Sequence, residues 1–329
     1  MNRTRHFLRD DNLSPEEYTQ VLELALHFKD DLFYRRTFAG PRSVAVIFDK
    51  NSTRTRASFA AGVTQLGGYP LMVESTTSQL SRGESICDTA RVLERMVETI
   101  VWRTFQQVDV LEMAKHSSKP VINALTDEFH PCQVLADLAT LAYVNGKKSG
   151  QEFKNNKQKV AGIRGKTLVY LGDGANNMAH SYLLGCATAG VNVRIVCPKS
   201  YSPNLQIVRD AEEIAQKTGA QVIVTDNVNA GIEGANVVAT DAWLSMGMDK
   251  SEESERADEF RRFQITEELI AQADEAAVFM HCLPAYRGRE VLEEVIDGPQ
   301  SVVFEEAEFR LHAQKALMDY LYTQTTCKV

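Results

Sequence analysis

Short apolar runs alternate with amphipathic segments along nearly the whole chain. The amphipathic segments carry apolar residues at three- and four-residue spacing, as at Ile86, Ala90 and Leu93, which is typical of helices. Runs that are apolar throughout predict strands buried on both faces, and their alternation with helices predicts parallel sheets. The predicted strands are 44–48, 71–74, 100–102 and 121–125, and then 167–171, 193–197, 222–225, 237–240, 277–281 and 302–304.

Helix signals and one polar stretch divide this pattern. Ser14-Pro15-Glu16-Glu17 is a capping box that predicts a helix start, Pro131 begins another helix, and 309–322 predicts a terminal helix. Residues 145–166 are rich in Lys, Asn and Gly, so we expect an exposed linker there. The fold class is therefore α/β, with two doubly wound parallel-sheet domains. We expect the active site in the cleft between them, because ligands bind beyond the carboxyl ends of such strands.

Composition excludes several classes of protein. The chain has 329 residues, 44% of them hydrophobic and 24% charged, which fits two globular domains. A net charge of −8 without a basic tail argues against a nucleic-acid partner. No apolar run approaches the roughly 18 residues needed to cross a bilayer, and the first residues lack the apolar region of a secretory signal. We expect no membrane partner and a cytoplasmic protein.

The spacing of the cysteines and histidines gives no sign of a metal site or a disulfide framework. The six cysteines include no Cys-x-x-Cys pair, and the seven histidines show no metal-ligand spacing. Scattered cysteines are typical of reduced thiols. We therefore expect neither a metal site nor a cofactor.

The densest chemical signal is Asn51-Ser52-Thr53-Arg54-Thr55-Arg56, between a predicted strand and a predicted helix. A helix start leaves backbone N–H groups unpaired and carries about half a positive charge. Three hydroxyls and two guanidinium groups add further donors, and phosphate satisfies such a set well. The alternative is an ordinary Ser N-cap followed by solvated arginines. The density of donors favours the phosphate site.

Two further candidates follow predicted strands in the first half. Arg103 ends one strand, where it forms either a structural salt bridge or a contact with a phosphate or carbonyl oxygen. His130 precedes Pro131 at a helix start, whose positive end disfavours protonation of the imidazole. Gln133 lies one turn further on and offers an amide to the same ligand. A plain His-Pro turn is the alternative.

The second half shows the same placement. Gly172-Asp173-Gly174-Ala175-Asn176-Asn177 resembles a dinucleotide loop, but the third glycine is missing and no acidic residue ends the next strand. Its paired Asn side chains suit an amino acid better. Asp241 follows another strand and is either an Asx-turn residue or a carboxylate for an ammonium group. His281-Cys282-Leu283-Pro284 ends a strand, and we expect Leu283 to be extended because it precedes proline.

Together the motifs S-T-R-T-R, H-P-C-Q, D-x-x-x-S-M-G and H-C-L-P resemble the ornithine branch of the aspartate/ornithine carbamoyltransferase family over essentially the full chain. The resemblance implies carbamoyl transfer from carbamoyl phosphate to the δ-amine of L-ornithine, giving citrulline and phosphate in arginine biosynthesis. It implies a carbamoyl-phosphate-binding domain at 1–147, against which helix 309–325 packs, and an ornithine-binding domain at 148–308.

The resemblance also assigns roles. It implies that Arg103, His130, Cys282 and Arg310 are catalytic. It implies contacts with carbamoyl phosphate from Ser52, Thr53, Arg54, Thr55, Gln79, Arg103, His130, Gln133, Cys282, Leu283 and Arg310. It implies contacts with ornithine from Asn177, Asp241, Ser245 and Met246. The loop with Gln79 resembles one lent to a neighbouring subunit, which implies a homotrimer or a multiple of it.

The sequence departs from the family at two site-related positions. Ala60 replaces a Glu and removes a possible partner of Arg56, and Phe309 replaces an Asn before Arg310. Three alternatives remain open from the sequence: a carbamoyltransferase for putrescine or N-acetylornithine, a nicotinamide-dependent dehydrogenase built on the Gly172 loop, and a non-catalytic ligand-binding regulator.

Overall fold

Two parallel β-sheets form the framework of the chain in the computed structural model, which describes residues 4–74, 83–149, 152–243 and 253–326. The predicted α/β class with two parallel-sheet units is confirmed. One compact unit comprises Met1–Ala139 and Glu308–Val329, and the other comprises Thr140–Ala307.

The first unit contains a four-stranded sheet in the order β2-β1-β3-β4. Its strands are β1 (Ser43–Phe48), β2 (Tyr69–Glu74), β3 (Thr99–Arg103) and β4 (Val121–Leu125), and its helices before residue 139 are α1 (Pro15–Asp30), α2 (Thr53–Gln65), α3 (Ile86–Leu93) and α4 (Gln107–His116). Buried residues such as Ile100, Trp102 and Met113 form its core on one face of the sheet. Helix α5 (Pro131–Ser149) begins in this unit.

The second unit contains a five-stranded sheet in the order β7-β6-β5-β8-β9. Its strands are β5 (Thr167–Leu171), β6 (Asn192–Val196), β7 (Val222–Thr225), β8 (Val237–Thr240) and β9 (Val278–His281). Its helices are α6 (Asn156–Ala161), α7 (Asn177–Ala189), α8 (Leu205–Thr218), α9 (Val228–Ile232), α10 (Glu253–Phe260), α11 (Glu267–Ile270) and α12 (Glu293–Ile296), and α13 (Val303–Thr326) ends the described chain. One hydrophobic core of this unit includes Phe260, Phe263 and Phe279.

Local signals placed several helix starts correctly. Ser14 caps α1 with the predicted capping box, and Pro15 is its first residue. Helix α5 begins at Pro131 as predicted. In both cases side-chain or proline chemistry within four residues determines the boundary.

Two predictions about local structure were wrong. Residues 145–149 continue α5 instead of forming a loop, and 156–161 form α6. Lys is a good helix former, and buried Asn145 donates to the carbonyl of Gly162 at 3.1 Å, which holds the helix end in place. The predicted strand 302–304 is instead the start of α13, because the helix formers that follow it extend the helix back to Val303. Next to this segment, Ser301 forms an isolated β-bridge with Phe279.

Candidate active site

The start of α2 is built as an anion-binding helix terminus. Ser52 is the N-cap, and its hydroxyl accepts a hydrogen bond from the backbone N–H of Thr55 at 3.2 Å. The helix has 13 residues and carries no acidic residue in its first turn, so its positive end is not neutralised from within. Thr53 is exposed and Arg54 is half-buried at this end.

Thr55 is the meeting point of two arginines from distant elements. Its side chain is 1% exposed, and its hydroxyl oxygen lies 3.4 Å from Arg103 Nη1 and 3.2 Å from Arg310 Nη2, both of which donate to it. Arg103 ends β3 and Arg310 belongs to α13, and both are almost fully buried. Two buried guanidinium groups beside a helix N-terminus make this region strongly positive.

Gln133 is linked to the same cluster. Its Oε1 accepts from Arg310 Nη1 at 2.6 Å, and its Nε2 donates to Asp137 Oδ1 at 2.7 Å, one turn further along α5. The amide orientation is therefore set from both sides. Phe309, the neighbour of Arg310 in the sequence, is buried, and its ring centre lies 5.5 Å from that of His312.

His130 stands directly before α5 and is 5% exposed. Burial lowers its pKa well below the ordinary value, and the positive charges of Arg310, Arg103 and Arg54 lower it further. The imidazole is therefore neutral near pH 7 and serves as a hydrogen-bond donor or acceptor without carrying charge. The sequence argument from the helix start gave the same protonation state; the larger physical cause is desolvation.

Arg56, the second arginine of the segment Asn51–Arg56, has its partners outside the cluster around Thr55. Its Nη2 donates to Glu74 Oε2 at 2.6 Å at the end of β2, and its guanidinium lies 4.6 Å from the centre of the Phe48 ring. The hydrogen bond from Arg56 lowers the pKa of Glu74. Arg56 thus has a carboxylate partner although Ala60 offers none.

A second group of predicted residues lies at the carboxyl ends of β8 and β9 in the other unit. These strands are parallel neighbours with Thr240 opposite His281, so the residues that follow them, Asp241 and Cys282, are also neighbours. The thiol of Cys282 donates to Asp241 Oδ1 at 3.2 Å. Burial raises the pKa of Asp241, while His281 and the bond from Cys282 oppose that rise.

The side chain of His281 forms a hydrogen bond with the backbone of Leu283, the residue after Cys282. Its Nδ1 accepts from the N–H of Leu283 at 2.9 Å, so the proton is on Nε2, which faces Glu290 Oε1 at 3.2 Å. Both side chains of this His–Glu pair are fully buried. Leu283 is not extended as predicted: its φ is +54°. The bond to His281 holds it in this sparsely populated region despite the following proline.

These side chains also offer the one group of metal-type ligands found within the described ranges. One ligand atom each from Asp241, His281 and Cys282 lies within 4.8 Å of the others. Both His281 nitrogens already have partners, so a metal would have to displace Leu283 or Glu290. We assign no metal to this site.

Asn177, the remaining predicted acceptor contact within the described ranges, is half-buried as the first residue of α7. Asn176 caps that helix through its side chain. Gln79, Ser245 and Met246 lie outside the described residues.

Sequence reasoning missed several residues that support these sites. The ammonium of Lys50 pairs with the carboxylate of Asp127, joining the segment before Ser52 to the one before His130. Arg256 pairs with Asp173 and donates to the carbonyl of Trp243 at 2.9 Å. These pairs join residues far apart in sequence, so no local pattern marks them; only Asp137 had a signal, its four-residue spacing from Gln133.

Two domain models of one protein family match successive parts of the chain. The aspartate/ornithine carbamoyltransferase carbamoyl-P binding domain matches residues 5–143, and the Asp/Orn binding domain of the same family matches residues 164–321. The chain is 54% identical over 317 residues to ornithine carbamoyltransferase of Bifidobacterium longum subsp. infantis, covering 96% of this chain and 95% of that protein. It is 50% identical over 319 residues to that of Corynebacterium glutamicum, covering 97% of each.

Solved structures that match the chain are also ornithine carbamoyltransferases. Ornithine carbamoyltransferase from Pyrococcus furiosus matches with a TM-score of 0.86 and 40% identity, covering 96% of each chain. The anabolic ornithine carbamoyltransferase from Campylobacter jejuni matches with a TM-score of 0.86 and 36% identity, covering 97% of this chain and 99% of that one. None of the helices in the described ranges is both long and apolar enough to span a membrane.

Proposed function

This chain belongs to the aspartate/ornithine carbamoyltransferase family, and from that premise we propose that it transfers the carbamoyl group of carbamoyl phosphate to the δ-amine of L-ornithine. The products are L-citrulline and phosphate, and the role is in arginine biosynthesis. The observation that carries the proposal is the convergence of Arg103 and Arg310 on Thr55 beside the start of α2. Such a set of donors suits a doubly negative phosphate group.

In the proposed mechanism the first unit binds carbamoyl phosphate. Ser52, Thr53, Arg54 and Thr55 hold the phosphate, and Arg103 bridges the phosphate and the carbonyl oxygen. Neutral His130 donates to that carbonyl oxygen, where negative charge develops, and each such donor contributes roughly 3 kcal/mol. The side-chain amide of Gln133 accepts a hydrogen bond from the carbamoyl NH₂ group, and Arg310 fixes the orientation of that side chain.

The second unit binds the amino acid and handles the proton. Asn177 and Asp241 hold its α-carboxylate and α-ammonium groups, and Ser245 and Met246 complete the contacts. An alkylammonium has a pKa of about 10.4, so only about one molecule in a thousand is reactive near neutral pH, a cost of about 4 kcal/mol. The thiol of Cys282 passes its own proton to the Asp241 carboxylate, to which it donates, as it takes up the proton that leaves the amine. The backbone carbonyl groups of Cys282 and Leu283 accept hydrogen bonds from the carbamoyl NH₂ group.

Bond changes then follow directly. The amine lone pair attacks the carbamoyl carbon and a tetrahedral oxyanion forms. The oxyanion then collapses, the bond between the carbamoyl carbon and the phosphate oxygen breaks, and the leaving phosphate takes up the proton that the attacking nitrogen still has to lose. No covalent enzyme intermediate is needed. Holding the two substrates in attack geometry supplies roughly 7–11 kcal/mol of the barrier reduction.

The decisive experiment is an assay of the purified protein with carbamoyl phosphate and a panel of amines. We expect citrulline from L-ornithine and at least about a hundredfold lower activity with putrescine or N-acetylornithine, because each lacks or blocks an α-group that Asp241 and Asn177 would bind. A preference for either amine would overturn the acceptor assignment. No carbamoylated product from any amine would favour a regulator, and NAD binding by fluorescence titration would favour a dehydrogenase.

We further propose a homotrimer, or a multiple of it, in which the loop with Gln79 reaches a neighbouring site. In support, the edge strand β2, helix α3 and the turn after α3 expose apolar side chains: Tyr69 is 57%, Val92 46% and Met96 68% exposed. Exposed apolar groups of this kind are typical of subunit interfaces. Mass photometry should give a trimer mass, and Met96→Glu should shift it towards the monomer; a monomeric wild-type protein contradicts the proposal.

We also infer a cytoplasmic location. In support, none of the cysteines in the described ranges is in a disulfide bond, as is usual in reducing compartments. Fractionation of the native host with an antibody tests this, and recovery in an extracytoplasmic fraction would contradict it.

A further inference from the structure

Tyr170 carries a hydroxyl group near the carboxyl end of the buried strand β5. It is the next-to-last residue of β5, and its side chain is fully buried with its ring centre 5.7 Å from that of Tyr182 in α7. Its hydroxyl oxygen accepts a hydrogen bond from Asn176 Nδ2 at 2.8 Å. Burial raises the pKa of Tyr170 well above its usual value, so the phenol stays protonated. The proposed mechanism does not use this hydroxyl.

Asn176 is fixed by this bond from one side and by helix α7 from the other. Its Oδ1 accepts from the N–H of Ala179 at 2.9 Å, which makes it the N-cap of the helix. The two ends of the amide therefore have different partners, and rotating it by 180° would break both bonds. Asn177, which follows at once, takes its position from this cap.

Gly172 shapes the same loop around the hydroxyl. Its φ is +141°, a conformation that glycine adopts readily, and a Cβ there would lie 3.5 Å from the hydroxyl oxygen of Tyr170 and 3.6 Å from Thr240 Oγ1. The loop thus crosses directly over the end of the Tyr170 side chain. Thr240 leads into Asp241, so the hydroxyl lies beneath two segments that carry proposed acceptor contacts.

We propose that Tyr170 is a positioning residue for the acceptor: its hydroxyl orients Asn176 and so places Asn177 for the amino-acid substrate. This inference rests on the proposed function, because Asn177 is an acceptor contact only in that function. Tyr170 itself does not touch substrate, since it is fully buried beneath the loop.

Tyr170→Phe is the direct test, because it removes one oxygen and keeps the ring. We expect the KM for L-ornithine to rise about fivefold, the effect of losing one hydrogen bond, with kcat and the KM for carbamoyl phosphate within about twofold of wild type. A merely structural role would lower all three parameters or the folded fraction together. An unchanged KM for ornithine overturns the inference.

A double-mutant cycle with Asn176→Ser tests the route of the effect. Serine still caps a helix but has no amide to donate to the phenol. We expect Asn176→Ser alone to raise the KM for ornithine about as much as Tyr170→Phe, and the double variant to add nothing further. Full additivity of the two effects overturns the inference. A wild-type KM for ornithine in Asn176→Ser also overturns it. If Tyr170→Phe does not fold, the KM of Asn176→Ser alone decides the question.

Tyr182→Phe is the matched control, since it removes the hydroxyl of the ring packed against Tyr170. Its KM for ornithine should stay within about twofold of wild type; an increase equal to that of Tyr170→Phe overturns the inference. Failure of the proposed function is a separate result, because it would appear as a wild-type protein that makes no citrulline.

Discussion

Arg310 and Thr55 are joined by a hydrogen bond of 3.2 Å although 255 positions separate them in the sequence. Arg103 donates to the same hydroxyl, so one buried threonine holds two cations beside the start of α2. A hydroxyl does this without adding negative charge. The contact with Thr55 therefore does not reduce the positive charge of either guanidinium group.

Thr55→Val should lower kcat/KM for carbamoyl phosphate about tenfold to a hundredfold. Valine is similar in shape but cannot accept from Arg103 and Arg310, and a lost hydrogen bond to a charged group costs roughly 1.5–3 kcal/mol. Steady-state kinetics measure this. Thr55→Ser is the matched control and should stay within about threefold of wild type, whereas equal losses in both variants would argue against the hydroxyl.

Arg54→Ala should raise the Kd for carbamoyl phosphate about a hundredfold, because a charge-assisted contact with the phosphate is lost. Titration calorimetry with carbamoyl phosphate provides a direct measurement. Lys115→Ala, which removes an exposed cation on α4, should change nothing. Wild-type affinity in Arg54→Ala would contradict a phosphate site at the start of α2.

The start of α2 shows what could be predicted from the sequence. About ten neighbouring residues encode its N-cap, its hydrogen-bond donors and its position after a strand. Most strands and the capping box at Ser14 are encoded just as locally. The partner of Arg56 was not predictable, because Glu74 comes from the next strand in the sheet. Contacts of this kind depend on the tertiary fold, which local periodicity does not specify.

The same limit explains the errors. The apolar run Val302-Val303-Phe304 fits a strand or a helix start equally well, and only packing distinguishes them. Leu283 departs from the rule for residues before proline because a side chain, His281, holds its N–H. Tyr170 lies within an apolar run of the sequence, which predicts only a buried strand position. The contact of its hydroxyl with Asn176 depends on how the chain turns between β5 and α7.

Cys282→Ala should lower kcat about tenfold to a hundredfold and change the pH profile, because the proposed proton acceptor is lost. Wild-type activity should fall with decreasing pH as Asp241 is protonated, and burial raises the pKa of Asp241, so this fall occurs above the ordinary value of 3.8. The pH dependence of kcat/KM for ornithine measures both effects. Cys87→Ser is the control, and an unchanged profile in Cys282→Ala would remove the thiol from the mechanism.

Lys315 should make stability depend on pH in the alkaline range. It is fully buried in α13, its ammonium donates to Gln65 Oε1 at 2.8 Å and lies 4.4 Å from the Phe28 ring centre. Burial lowers its pKa from 10.5 to about 8. The folded state therefore releases this proton more readily than the unfolded state does. The resulting stabilisation is complete above about pH 10.5 and is lost as the pH falls through 8.

Comparison with Lys315→Met isolates this effect. The free energy of unfolding of wild type relative to the variant should increase between pH 8 and pH 10.5 by up to about 3 kcal/mol, at about 1.4 kcal/mol per unit of pKa difference. Denaturant unfolding at several pH values measures it. Lys115→Met, at an exposed position, should show no such trend, and a flat difference for Lys315→Met would mean that the buried amine keeps its ordinary pKa.

Arg310 belongs to the last helix, yet it completes the cluster around Thr55 in the unit that begins the chain. A nascent polypeptide therefore lacks one of the buried cations beside Thr55 until Arg310, 255 positions later, has been synthesised. Fragments that end before α13 contain Thr55 and Arg103 but not this second guanidinium group, so the proposed phosphate site would stay incomplete in them.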